Sequence, residues 1–195
     1  MQDVAAAVTQ GVDWVQVRDR ELEGAALLGF AEGVAEAAHA AADRAGRQVK
    51  LIVNRRLDVA LAVGADGVHL GFDALPPQEA RRLLGPDALV GVSCHAPAEV
   101  GAAAGASYAH LAPIFAPLSK AASRPPLGVA ALGAAAGTRP VLAQGGVAAG
   151  NAAACLAAGA AGVAVTGAVL QADDPGDAAA ALRAALDAPA GNAQT

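Results

Sequence analysis

Pro140-Val-Leu-Ala-Gln-Gly-Gly-Val147 and, after an Ala-rich interval, Gly159-Ala-Ala-Gly-Val-Ala-Val-Thr-Gly167 decide how this chain reads. Pro140–Ala143 is a short apolar run without alternation, the pattern of a strand buried on both faces, and it runs into a glycine pair. Val163–Val165 reads the same way and ends at Thr166-Gly167. Glycine at a strand's C-terminal end lets backbone amides approach a ligand closely, and a helix N-terminus beyond it favours an anion. Two such turns on consecutive strands match the phosphate site that (β/α)₈ barrels build after their last two strands. Gly145, Gly146, Val165, Thr166 and Gly167 are therefore the expected phosphate-binding residues. The plainer alternative is that Gly145-Gly146 only makes a tight turn.

Working outward, the same strand–loop–helix rhythm fills the chain. Further strands are expected at Trp14–Val17, Lys50–Val53, Gly67–Leu70, Leu89–Val92 and Tyr108–Leu111. Helical stretches separate them at Leu22–Ala45, Arg56–Val63, Pro77–Leu84, Pro97–Ala104, Val129–Ala136 and Ala148–Ala158, with a last one over 175–187. Pro77 and Pro97 sit near helix starts, where the missing N–H is harmless. Buried strands alternating with helices predict an α/β chain with a parallel sheet, a (β/α)₈ TIM-type barrel. Seven strands are visible where a closed barrel needs eight, because residues 2–10 read as a helix. The barrel is expected to lack its first strand in this chain, or to be open or closed by a partner. No linker divides the 195 residues, so one domain over 1–195 is expected, with a flexible tail at 188–195.

Composition removes several function classes. The chain is 55% hydrophobic and 16% charged, which excludes global disorder. Net charge is −5 and no basic run exceeds two residues, so a nucleic-acid surface is not expected. Residues 152–170 carry no charge, but Gly159 and Gly162 divide them, so no membrane span is expected either. Cys94 and Cys155 have neither CxxC nor Cys/His spacing, which argues against zinc and disulfides. With no basic leader segment the expected location is cytoplasmic.

Polar residues gather where strands end, and in parallel barrels those ends converge on one mouth. Alternation puts Gln16, Arg18 and Arg20 on one face. Asn54-Arg55-Arg56, His69-Leu-Gly71 and Ser93-Cys-His95 close the next three strands. His110 precedes a long loop, Ala112-Pro-Ile-Phe-Ala-Pro-Leu-Ser-Lys120. Each has a bland alternative: a strand-end histidine is often a hydrogen-bonded core residue, and Ser93 is placed to cap a helix. Lys120 is one of only two lysines and lies in the mouth loop. It reads either as a cation over a phosphate or diphosphate or as a solvated loop lysine.

Taken in order, Gln16-x-Arg18, Asn54-x-Arg56, Asp66-Gly-Val-His-Leu-Gly71, Gly91-Val-Ser-x-His95, Ala112-Pro-Ile-Phe115 with Ser119-Lys120, and Gly145-Gly146 resemble thiamin phosphate synthase and its relative the thiazole tautomerase, from residue 11 to about 170. The resemblance implies a transferase of thiamin biosynthesis. A hydroxymethylpyrimidine diphosphate would lose pyrophosphate, and the nitrogen of a thiazole phosphate would attack the resulting carbocation-like carbon. It implies small phosphorylated substrates, held by Gln16, Arg18, Arg20, Asn54, Arg55 and Ser119. Ser93 and Lys120 would act on the diphosphate, Lys120 stabilising the leaving charge. The two glycine turns would hold the thiazole phosphate. A homodimer is an expected assembly.

The departures from the family pattern carry expectations of their own. Mg²⁺ is the family's expected cofactor, yet Arg55 stands where Asn-Asp-Arg has its Asp, and Ala74 stands at the Asp of Gly-Gln-Glu-Asp. Hard Mg²⁺ wants oxygen ligands, so no metal ligand is assigned; Asp73 is the only nearby carboxylate. The tautomerase's catalytic histidine would fall at Pro113, leaving His110 or His95 as its only substitutes. A synthase without ordinary Mg²⁺ ligation, a tautomerase-like isomerase and a non-catalytic phosphate-binding relative therefore stay open.

Overall fold

Seven short strands run side by side in sequence order, each parallel to the next: β1 (Trp14–Val17), β2 (Lys50–Asn54), β3 (Gly67–Leu70), β4 (Leu89–Cys94), β5 (Tyr108–Leu111), β6 (Val141–Gln144) and β7 (Gly162–Ala164). The computed structural model describes residues 1–71, 74–116 and 124–188. A helical return joins each neighbouring pair: α2 (Gly24–Arg44), α3 (Leu57–Ala62), α4 (Pro77–Leu84), α5 (Pro97–Ala102), α6 (Ala130–Ala135) and α7 (Ala149–Ala157). Ahead of β1 stands α1 (Gln2–Thr9), the helix expected where a first strand would be. α8 (Gly167–Leu170) and α9 (Pro175–Asp187) follow β7. Among the described residues the architecture is a TIM-type barrel that curls without closing.

Local chemistry accounts for the element ends. Pro77 and Pro97 open their helices, and the Asp174 carboxylate caps α9 by accepting from the Asp177 amide at 3.0 Å. β2 and β4 run one and two residues further than the apolar runs, taking in Asn54 and Ser93-Cys94. β7 lies one residue earlier than expected, and the single-turn α8 is an addition the sequence did not signal. Of the expected tail, residues 189–195 lie outside the described residues, as do Ser119 and Lys120.

Period-two alternation sorts the side chains into two populations. Leu51, Val53, Val68, Val90, Ala109, Leu111 and Val141 are buried against the helix layer and belong to one apolar cluster. Their neighbours along the strands point to the barrel axis: Gln16, Asn54, His69, Gly91, Ser93, Tyr108, His110 and Gln144. Gly91 pairs with His69 on one side and Tyr108 on the other. A Cβ at Gly91 would overlap the Tyr108 ring, so the missing side chain is what lets that ring lie across the axis.

A pair of glycine substitutions separates packing from backbone entropy. Gly91→Ala should lower stability to urea by roughly 1–3 kcal/mol through the forced displacement of Tyr108. Gly29→Ala, in α2 with open space around it, should raise stability by roughly 0.5–1 kcal/mol. Equal effects at the two positions would show that the ring contact does not constrain the sheet.

Candidate active site

At the barrel axis a hydrogen-bonded row runs from strand to strand. Tyr108 is buried, its ring packed edge-on to Trp14 with centroids 5.0 Å apart. Its hydroxyl lies 3.3 Å from His69 Nδ1, and His69 Nε2 lies 2.9 Å from Ser93 Oγ. Burial pushes the Tyr108 phenol well above its usual range, so it stays protonated. The consistent assignment has the phenol donating to Nδ1 and Nε2–H donating to Ser93 Oγ. In that tautomer Ser93 accepts from the histidine and keeps its own O–H as a donor.

His110 packs against His69 with ring centroids 4.1 Å apart and the ring planes inclined at 34°, and Gln144 lines the same cavity. Burial, then His110 and Arg18, push the His69 imidazole down to about 3; burial pushes His110 down to about 4. Both rings are therefore neutral at physiological pH, able to donate from one nitrogen and accept at the other. His95 also lines the cavity, its Nδ1 2.8 Å from the Ala112 carbonyl.

Above this row the mouth is strongly cationic. Burial, then Arg20, then Arg55 lower the Arg18 pKa, which records three guanidiniums crowded together. Arg55 holds a left-handed backbone (φ 65°) directly after β2, which turns the chain sharply into Arg56. Arg56 is tied down by a two-point pair with Asp58, at 2.8 and 2.6 Å, and holds that carboxyl down to about 2. Asn54 donates to Gln16 Oε1 at 3.4 Å, placing two amides side by side below the arginines.

One cavity of about 1400 Å³ connects these groups. Of the residues singled out from the sequence, Gln16, Arg18, Arg20, Asn54, Arg55, Ser93, His110, Val165 and Thr166 line it. Gly145, Gly146 and Gly167 do not. The glycine pair has a structural duty: at φ 89° and 63°, its backbone lies against the Pro113–Ala116 loop, where a Cβ on Gly145 would sit 2.8 Å from Pro113 Cα. The Ile114 and Phe115 amides donate to the Gln144 and Gly145 carbonyls at 2.8 and 2.9 Å. Asn151 locks the far side, donating to the Gly146 carbonyl and accepting from the Ala148 amide, both at 2.9 Å. These contacts are those of the tight turn that the plainer alternative describes. His69, Tyr108 and Gln144 were not among the expected site residues; strand alternation with His110 and Ser93 was the signal that points to them.

The neutral histidines carry a pH signature. An unfolded histidine takes up a proton near pH 6.5 that buried His110 refuses until about pH 4 and His69 until about pH 3. Their contribution is constant above about pH 6.5 and works against the fold as pH falls toward 4, at up to roughly 1.4 kcal/mol per pH unit per ring. Urea unfolding between about pH 7 and 4.5 should show this slope, and the double variant His69→Gln with His110→Gln should flatten it. An unchanged slope would show that the rings titrate normally.

The profile of the family described as thiamine monophosphate synthase matches residues 1–169. A putative thiamine-phosphate synthase of Geobacter sulfurreducens is 42% identical over 189 residues, covering 94% of this chain and 85% of that protein. The bifunctional thiamine biosynthesis protein ThiM/ThiE of Symbiobacterium thermophilum is 47% identical over 190 residues; the match covers 95% of this chain and 38% of that longer protein. Among solved structures, a thiamine phosphate pyrophosphorylase from Pyrococcus furiosus superposes with a TM-score of 0.80 at 27% identity, covering 95% of this chain and 88% of that one. A strand order, a mouth of arginines and a sequence match that all agree lead to one assignment: the chain belongs to the thiamine monophosphate synthase family, transferases of thiamin biosynthesis.

Proposed function

We propose that this chain joins a hydroxymethylpyrimidine diphosphate to a thiazole phosphate and releases pyrophosphate. The observation that carries the reading is the crowding of Arg18, Arg20 and Arg55 at one side of a cavity that reaches Thr166 on the other. Three like charges gathered beside a pocket favour a polyanion, and a diphosphate leaving group is one. A monophosphate isomerase has no use for such a cluster, and Pro113 stands where the tautomerase histidine is expected. That favours the synthase.

Each side chain then has a task. Gln16 and Asn54 offer amide donors and acceptors to the pyrimidine edge. The free Ser93 O–H donates to a diphosphate oxygen, held in direction by His69 and Tyr108. As the carbon–oxygen bond to the diphosphate breaks, its electron pair goes to the leaving oxygen, where the arginines and Lys120 stabilise the charge. The thiazole nitrogen then forms the new carbon–nitrogen bond, with the thiazole phosphate held near Val165, Thr166 and Gly167. His110, neutral and packed against His69, would face the pyrimidine from the cavity wall.

The residues at the family's magnesium positions do not fit that ion. Arg55 brings a guanidinium and Ala74 a methyl group, and Mg²⁺ requires oxygen ligands in near-octahedral array. Among the described residues no three of His, Cys, Asp and Glu gather into a ligand set; Asp73 lies outside them. No step is therefore routed through the metal, and arginine charge takes over the leaving group.

Two measurements test the reading. Pyrophosphate release should persist within about twofold when Mg²⁺ is replaced by chelator, whereas Arg55→Asp with Ala74→Asp should gain a dependence on the ion. Robust turnover that chelator abolishes in the unmodified chain would overturn the metal reading while leaving the reaction standing. Thr166→Val should raise KM for thiazole phosphate roughly tenfold with little change for the pyrimidine diphosphate. Equal effects on both substrates would remove the assigned phosphate site.

A further inference from the structure

Two of the mouth arginines ride on a short loop. β1 ends at Val17, which is buried, and Leu22 packs against the core at the other end. Arg18, Asp19, Arg20 and Glu21 between them are exposed, and α2 begins only at Gly24. Among the described residues, 18–22 take part in no backbone–backbone hydrogen bond. A loop of that kind samples many conformations unless a side chain folds it, and ordering its arginines at the moment of binding would cost affinity.

One carboxylate does fold it. Asp19 Oδ1 accepts from the Glu21 amide at 2.7 Å and from the Leu22 amide at 2.8 Å, short distances for bonds to an ionised acceptor. The Leu22 bond first, and then the Glu21 bond, lower the Asp19 pKa, so the group stays ionised at physiological pH. Asp19 joins none of the ion pairs among the described residues, although Arg18 and Arg20 flank it in sequence. Its oxygen is engaged with the backbone of its own turn, while both arginines line the cavity. Burial first, and then Arg20, disfavour the charged form of Arg18, so the turn keeps together two groups that repel.

We propose that Asp19 is a positioning residue for diphosphate binding: by folding residues 19–22 into a fixed turn, it holds the Arg18 and Arg20 guanidiniums at the cavity before a ligand arrives. This role rests on the reading above that these arginines meet the diphosphate. The two things a carboxylate can do here have opposite signs. As a charge beside an anion site it repels the ligand, and removing it tightens binding. As a tether it orders the loop in advance, and removing it weakens binding.

Inorganic pyrophosphate, the group the reaction releases, is the probe. Calorimetry should show Asp19→Ala weakening its binding roughly tenfold. Asp19→Asn keeps the Oδ1 acceptor and loses the charge, so it should bind within about twofold of the unmodified chain or tighter. In turnover, Asp19→Ala should raise KM for the pyrimidine diphosphate by a similar factor and leave KM for thiazole phosphate unchanged. Without any ligand, the Glu21 and Leu22 amides should exchange roughly tenfold faster in Asp19→Ala, at an unchanged urea midpoint. Asp19→Ala binding pyrophosphate as tightly as the unmodified chain, or tighter, would show a carboxylate that acts only as a charge, and would overturn the proposal. An equal loss in both variants, an equal rise in both KM values or unchanged exchange at Glu21 and Leu22 would overturn it too. Each of those outcomes leaves the diphosphate reading standing. An unmodified chain that binds no pyrophosphate up to about millimolar concentration would instead remove that reading and this role of Asp19 with it.

Discussion

Everything in this molecule depends on how the inner face of a parallel sheet is filled. Strands of three to six residues, buried on the outside by Ala-rich helices, present every second side chain to a narrow axis. The chain has few aromatics to fill that axis: Trp14 and Tyr108 take the lower part, and the bare backbone of Gly91 gives the Tyr108 ring its place. Once that ring is fixed, its hydroxyl orients His69, and His69 orients Ser93. A packing constraint at the bottom of the barrel therefore sets the direction of a hydroxyl near its mouth, and the site is rigid because the core is.

Electrostatics divides the same axis into two levels. Low down, burial keeps two imidazoles and a phenol neutral, so polar groups are satisfied by one another without buried charge. At the mouth, burial first, and then Arg20 and Arg55 from the ends of β1 and β2, disfavour the charged form of Arg18. The axis thus runs from a neutral floor to an arginine-bearing rim.

The edge of the sheet sets the limit of this order. β1 carries Gln16 and leads directly into Arg18, so the strand that positions half the mouth is also an edge of the sheet. Edge strands open more readily than central ones because half their backbone groups lack partners in the ladder. Among the described residues no helix is long and apolar enough to cross a membrane, which agrees with an apolar content spent on helix–sheet packing.

The parallel, strand–helix architecture was legible in the sequence because short Val- and Leu-rich runs and Ala-rich intervals carry their periods locally; even the helix in place of a first strand, α1, reads from residues 2–10 alone. The mouth residues Gln16, Arg18, Asn54 and Ser93 were legible for a related reason, since a polar residue that ends a buried strand must face the open end of a barrel. Three-dimensional packing decided the rest. Gly145 and Gly146 read as a phosphate cradle, yet their contacts with Pro113 and Ala116 come from a loop some thirty residues away in sequence, so their role in a tight approach of backbones was invisible until the loop was placed. The packing of His69 against His110 and the neutral state of both rings likewise arise from burial among residues on separate strands. Local pattern determines which elements form and which way their polar ends point, but who touches whom across the axis, and with what charge, is a property of closure that only the folded sheet supplies.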